Sequence, residues 1–318
     1  MRHLRYLALA GALVGASALA QTQTYPTKTV RFVSGVTPGA ASDTMARILA
    51  DKLSGVLGQP VIVENRLGAG GLVGARFVAQ QAEPDGHYIM MYASAFTVST
   101  LLNPGLDPKE LAPVATVATI PTVMVTPPGK YKTLNDFVAA AKAQQGKMVC
   151  TDAGVGSATH MALERFRFAA GFEVTSVHTK GPGEALTEVI SGRADCYFAL
   201  IFQAKKMHEG GKVGALVVSS PRRSSLMPEL PTTVEAGYPN SDYNFWVGAL
   251  VAAKTPRDIV ERLHKEISTL VRSPEISAQI RKLGADPLDL SIAEFQQMID
   301  RELKENAELI KKAGIKAN

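Results

Sequence analysis

The stretch TVRFVSGVTPGAASDTMARILADKLSGVLGQPVIVEN, residues 29–65, changes period twice. Residues 29–36 are apolar and β-branched and read as a strand. From Asp43 to Leu57, Met45, Leu49, Leu53 and Val56 recur on one side, the spacing of an amphipathic helix. PVIVEN (60–65) then returns to strand character. Working outward, a helix is expected near 72–82 and a third strand at HYIMMYAS (87–94). These strands are apolar throughout, as parallel strands covered on both faces are. VATVAT and TVMVTP, beyond Pro113, read as connecting strands. A second set of units opens with a helix from Leu134 to Gln145, followed by strands at 148–152, 173–178, 194–199 and 213–219. A third section holds NFWVGALVAA (244–253) and two helices. The first has Thr255 as N-cap and Pro256 at its first position; the second opens with the capping box Ser291–Glu294, a reciprocal pairing of cap and third-residue side chains. The whole reads as an α/β clamshell of two lobes with a ligand cleft between them. Residues 25–122 with 245–318 form one lobe and 123–244 the other, with crossings near 121–127 and 240–248.

In open parallel sheets, ligands bind beyond the carboxyl ends of the strands, where helix N-termini converge. That rule selects the loops Ser34–Asp43, Asn65–Gly71 and Ala93–Val98 in the first lobe. In the second it selects Asp152–His160, His178–Glu184 and the segment after Phe198. All are rich in Gly, Ser, Thr and Ala. Glycine admits close backbone approach, and the unpaired N–H groups of a helix start favour an anion; turns and caps have the same composition. GAGGLVG (68–74) places its third glycine one position too late for a dinucleotide loop, and GVGSAT (154–159) lacks it. Ser157, His160 and Asp152 are the candidates for a nucleophile, base and orienting carboxylate, but no GxSxG elbow carries them. Ser157 reads better as a helix cap and His160 as a packing residue.

The chain ends and composition bound the rest. Arg2, His3 and Arg5, the apolar run Leu7–Val14 and Ala18-Leu19-Ala20 form an export leader cleaved near Gln21. Removing Arg2 and Arg5 from the formal charge of +5 leaves about +3, without the basic block that nucleic acid requires. Cys150 and Cys196 can pair in an oxidising compartment or stay as buried thiols. Without CxxC or clustered histidines, no metal or cofactor is expected.

The quoted stretches carry a family resemblance. YPTKTVRF (25–32), LGQPVIVENRLGAGGLVGA (57–75), PDGHYIMM (84–91), KTLNDFVAAAK (132–142), AGVGSATHMALERF (153–166) and LMPELPTTVEAGYP (226–239) occur in order. From Tyr25 to Ile315 the sequence resembles the Bug family, the substrate-binding components of tripartite tricarboxylate transporters. The resemblance implies a two-lobed periplasmic-binding-protein fold (type II, Venus-flytrap) closing over a small di- or tricarboxylate. It also implies two integral-membrane subunits as partners, with sensing for a kinase as the alternative; a monomer in the periplasm is expected, and an enzyme on the same clamshell is a rival that the fold alone does not exclude. The implied contacts are Val36, Thr37, Ala40, Ser42, Asp43, Gly70 and Ser94, facing Gly156, Ser157, Thr179 and His160. The sequence departs from the family at Val36, where an aromatic is usual, at Ala40 in place of glycine, at His178-Thr179 in place of the usual Pro-Tyr before Lys180, and at Ala199 in place of Asp. Alanine at 199 removes a carboxylate that would accept from a ligand ammonium or hydroxyl. With the room left at Val36, this favours an aromatic acid, and His178 or Lys180 can hold a second carboxylate.

Overall fold

In the computed structural model, which describes residues 25–243 and 245–316, the stretch at 29–65 forms β1 (Val30–Ser34), α1 (Ala41–Leu57) and β2 (Val61–Asn65). It continues through α2 (Leu72–Arg76), a wider π turn at Phe77–Gln81, β3 (Tyr88–Ala93), α3 (Ala95–Leu102) and β4 (Leu111–Thr119). Next come β5 (Thr122–Thr126), α4 (Leu134–Gln144), β6 (Val149–Asp152), α5 (Ala158–Ala170) and β7 (Thr175–His178). These lead into α6 (Pro182–Ile190), β8 (Cys196–Leu200), α7 (Ile201–Glu209) and β9 (Gly214–Val218). The last section is β10 (Trp246–Ala252), α8 (Arg257–Arg272), α9 (Pro274–Lys282), β11 (Asp286–Pro287) and α10 (Ile292–Ala313). The leader at 1–20 lies outside the described residues.

Two sheets result, ordered β11-β4-β10-β3-β1-β2 and β7-β6-β8-β5-β9. Each contains one parallel triplet, β2-β1-β3 in the first and β7-β6-β8 in the second. The stretches at 114–119 and 122–126 correct the sequence reading. They lie in β4 and β5, interior antiparallel strands of the two sheets, rather than in connectors. Their apolar residues suit an interior position equally well, so composition could not tell the two apart. The chain changes sheets at Ile120–Pro121 and again within 219–245. The two passages run side by side: the Ile120 N–H donates to the Phe245 carbonyl at 2.7 Å, and the Ser219 N–H to the Thr122 carbonyl at 2.8 Å.

Apolar helix faces cover the sheets. Met45, Leu49 and Leu53 of α1 and Leu263 and Ile267 of α8 pack on Phe32, Ile89 and Val117. Trp246, Phe96 and Phe295 fill the opposite side of the first sheet. In the second lobe, Phe137, Phe166 and Phe198 lie on one face, and Tyr197, Ala199 and Val189 on the other. Coverage of both faces is why the strands show no polar alternation. The cap of α8 falls one residue later than expected, at Pro256, whose ψ of 139 is still extended. Ser291 and Glu294 form the expected capping box on α10. Cys150 and Cys196 are joined in a disulfide across the matched register of β6 and β8, which settles the alternative the sequence left open.

α10 links the lobes a third time. Phe295, Met298 and Ile299 belong to the first lobe's core, whereas Leu309 belongs to the second's. Between them Asn306, fully buried, donates to Thr97 Oγ1 at 2.8 Å and accepts from Arg165 of α5 at 3.2 Å. One turn earlier, Glu302 accepts from Trp246 Nε1 at 2.9 and 3.0 Å. Burial pushes the Glu302 carboxyl up to about 7, against the opposing effects of the Trp246 bond and Arg165. The folded chain therefore holds a proton that the unfolded chain releases from its ordinary value of 4.5 upward. The stability tied to this group is present below that value and lost as pH rises through about 7. Glu302→Gln is expected to flatten that decline, a difference of at most about 3 kcal/mol. Urea unfolding of both proteins from pH 5 to 8 checks it; parallel pH profiles would contradict it.

Candidate functional site

Both parallel triplets place the earliest strand in the middle, the arrangement in which loops diverge at the carboxyl edge and leave a crevice. In the first lobe that edge carries the 35–40 loop into α1. Gly35 is packed so tightly on the second loop that an added Cβ would lie 2.4 Å from Gly71 Cα. Asn65 bridges the two loops, donating to the Val36 carbonyl at 3.0 Å and to Asp43 Oδ1 at 2.7 Å. Asp43 also accepts from the Gly39 N–H at 2.8 Å and from two nitrogens of Arg47. Burial alone would raise its carboxyl, but Arg47, Gly39 and Asn65 outweigh this and hold it below the usual range. With no exposed surface and its lone pairs engaged, Asp43 shapes the loop and is not itself free to meet a ligand.

Thr37, Pro38 and Gly39 are exposed, Val36 and Ala40 half-buried, and Ser42 buried. Ala40 caps α1 without a side-chain bond. The N–H groups of Ala41, Ser42 and Asp43 occupy the first turn, where a helix has no internal acceptor for them. Gly70 is exposed with φ +64, and its carbonyl accepts from the Tyr92 hydroxyl at 2.5 Å. Ser94 is sealed inside: its N–H donates to the Trp246 carbonyl, and its Oγ lies 3.2 Å from the Tyr243 hydroxyl. α3 then connects the two halves of the site. A Cβ on Gly70 would meet Ser99 Oγ at 2.9 Å, and one on Gly156 would meet Val98 at 3.2 Å and Leu102 at 3.4 Å.

In the second lobe, Asp152 is fully buried at the end of β6. Its Oδ1 accepts from the Gly154 N–H at 2.8 Å, and its Oδ2 lies 2.8 Å from His178 Nδ1. Ser157 caps α5, its Oγ accepting from the His160 N–H at 3.2 Å. His160 Nδ1 in turn accepts from the Gly156 N–H at 3.0 Å. Burial lowers the His160 imidazole to about 4, with His178 and Arg167 adding to the effect and Asp152 opposing it. It is therefore neutral near pH 7. Among the described residues, no hydrogen bond joins Ser157 Oγ to an imidazole nitrogen, so Ser157, His160 and Asp152 do not form a relay.

The N–H groups of Gly156 and Ser157, expected to face a ligand, are already spent on His160 and on the Gly154 carbonyl. The first-turn donors here are Ala158 and Thr159. Thr179 is half-buried and donates its hydroxyl to the Asp152 carbonyl at 2.7 Å, while Lys180 stands exposed. Ala199 has no accessible surface and packs with Val123, Ala185 and Tyr197 in the core. It offers nothing to a cleft. Tyr92 and Leu102 lie outside the loops selected from the sequence, because ordinary strand and helix positions carry no loop signal; Asn65 and Val98 bound two of those loops but were given no role. His178 and His160 also come together with Asp152, where the sequence reading expected no cluster of histidines.

Two α/β lobes whose binding edges share one helix, linked by paired crossings, define a solute-binding protein of the periplasmic type. Residues 45–315 match the family described as tripartite tricarboxylate transporter family receptor, and the chain belongs to that family. Protein BugT of Bordetella pertussis is 29% identical over 325 residues, covering 99% of each chain. Rpa4515 of R. palustris, solved with adipate, is 27% identical with a TM-score of 0.77, covering 92% of this chain and 99% of that one. MatC from Rhodopseudomonas palustris, solved with bound malate, is 26% identical with a TM-score of 0.74, covering 90% and 100%. Among the described residues, no helix is long and apolar enough to cross a membrane.

Proposed function

We propose that this receptor captures a small organic dicarboxylate between the 36–43 loop and the 153–160 loop and delivers it to two integral-membrane transport subunits. The observation that carries the reading is the match between the lobes. In each, the central strand of a parallel triplet feeds a glycine-containing loop into a helix start, whose unpaired N–H groups suit one carboxylate. Two such starts suit a diacid. The adipate and malate bound by the neighbouring structures support that class. Binding rather than catalysis fits a serine that caps a helix and a histidine that accepts from a backbone N–H. Export to the periplasm rests on the leader at 1–20.

Ala199, buried in the core, no longer argues for an aromatic acid, so that preference now stands on Val36 alone. Calorimetric titration of the mature protein with adipate, malate, an aromatic dicarboxylate and an acidic amino acid tests the reading. Saturable one-to-one binding of at least one diacid, tighter than the amino acid, is expected. Tightest binding of the amino acid, or no binding of any diacid, overturns it.

A further inference from the structure

Asp152, His160 and His178 present one carboxylate oxygen and two imidazole nitrogens within 4.8 Å of one another. They reach this point from the end of β6, the first turn of α5 and the end of β7. We propose that the three form a binding site for a divalent transition-metal ion, with Zn²⁺ the best fit. The inference stands apart from the organic-acid reading, although the two share a loop.

Imidazole and carboxylate donors suit zinc, nickel and copper, whereas calcium and magnesium prefer oxygen alone. The ligands are held in place before an ion arrives. Gly154 fixes Asp152 Oδ1 and leaves Oδ2 aimed at His178 Nδ1. The His160 and His178 rings meet edge to face, with centroids 4.8 Å apart. Access is open as well. His178 is 40% exposed, and both histidines line a cavity of about 350 Å³ beside Glu164, Arg167 and Ile315. That leaves space for the water a zinc ion takes as its fourth ligand. Arg167 does not bar a cation, because its charge is paired with Glu164 at 2.7 Å and Glu173 at 2.8 Å.

Coordination changes the local hydrogen bonding in a defined way. Without metal, the Gly156 N–H bond to Nδ1 leaves the His160 ring proton on Nε2. Ligation through Nε2 moves that proton to Nδ1, and the Gly156 N–H must turn away. His178 Nδ1–H donates to the Asp152 carboxylate before metal arrives, so ligation through Nδ1 moves that ring proton to Nε2. Starting from one proton on each ring, both histidines shift tautomer and no proton is lost. Zinc–ligand bonds of about 2.0–2.2 Å put tetrahedral ligand atoms about 3.4 Å apart, so the long edge of the triangle must contract from 4.8 Å while the 2.8 Å Asp152–His178 edge opens. Gly156, at φ +74, lies in the loop that would yield.

The test is calorimetric titration of the untagged mature protein, stripped with a chelator, with zinc chloride in the absence of any organic acid. One Zn²⁺ per chain is expected, with affinity lowered at least about tenfold in His178→Gln and in His160→Gln and unchanged in His208→Gln. Zinc-edge absorption of the loaded protein is expected to report two imidazoles, and the Gly156 amide resonance to move on loading. Absence of saturable uptake overturns the proposal. So does uptake that His178→Gln leaves intact, or that His208→Gln reduces equally. Asp152→Asn is a further variant, and should it fail to fold, exposed His178 still decides the matter.

Discussion

Gly35→Ala is expected to abolish tight binding of the organic acid and to destabilise the protein by about 1–3 kcal/mol, the usual cost of forcing extra volume into a packed site. The added methyl would stand 2.4 Å from Gly71 Cα and 2.8 Å from its carbonyl oxygen. Both are backbone atoms, so no side chain can rotate aside. The loops must part, and the Asn65 bonds to Val36 and Asp43 that join them must lengthen. Because Asp43 also fixes Gly39, the disturbance reaches the first turn of α1, where the donors for a carboxylate lie. Gly55→Ala provides the contrast. Gly55 lies within α1 with nothing near its absent Cβ, so alanine there is expected to stabilise by about 0.5–1 kcal/mol. Urea unfolding and calorimetry of both variants decide between these expectations. A Gly35→Ala protein with wild-type stability and affinity would show that the loops are not packed as described.

Loss of the disulfide is the other large effect. Cys150 and Cys196 are both fully buried and are 46 residues apart in sequence. Closing a loop of that length removes unfolded-state entropy worth about 4 kcal/mol in the chain-entropy model. Cys150→Ala and Cys196→Ala should each lose most of that, with a smaller loss for the emptied volume. Reduced wild type isolates the cross-link itself, since a buried thiol packs as a small apolar group. Its unfolding free energy is expected to fall by a similar amount while its circular dichroism stays native. A difference below about 1 kcal/mol between oxidised and reduced protein would contradict the entropic account.

Much of this architecture was legible because local signals agreed. The stripe of Met45, Leu49 and Leu53, the apolar strands beside it and the box at Ser291–Glu294 each point to the element that forms. What escaped the sequence depends on contacts distant along the chain. Interior and connecting strands share one composition, so β4 and β5 could not be assigned to their sheets. The passage of α10 from one core to the other has no local mark either, because its apolar stripe is continuous. At the site, the loops were legible and the roles within them were not. Ser94 lies at a strand end yet points into the interior towards Tyr243. Ala199 sits where a ligand contact was expected, but its side chain falls on the core-facing side of β8. The Asp152–His160–His178 cluster exists only because parallel pairing sets Asp152 beside His178.

The central claim is that one small diacid is held by both lobes at once, and amide hydrogen exchange tests it most directly. The mature protein would be labelled with and without a saturating dicarboxylate found by titration. The account predicts slowed exchange in both the 36–43 and the 153–160 segments, with the α5–α10 face away from the cleft unchanged. Protection confined to one of these loops, or concentrated along α10, would contradict it.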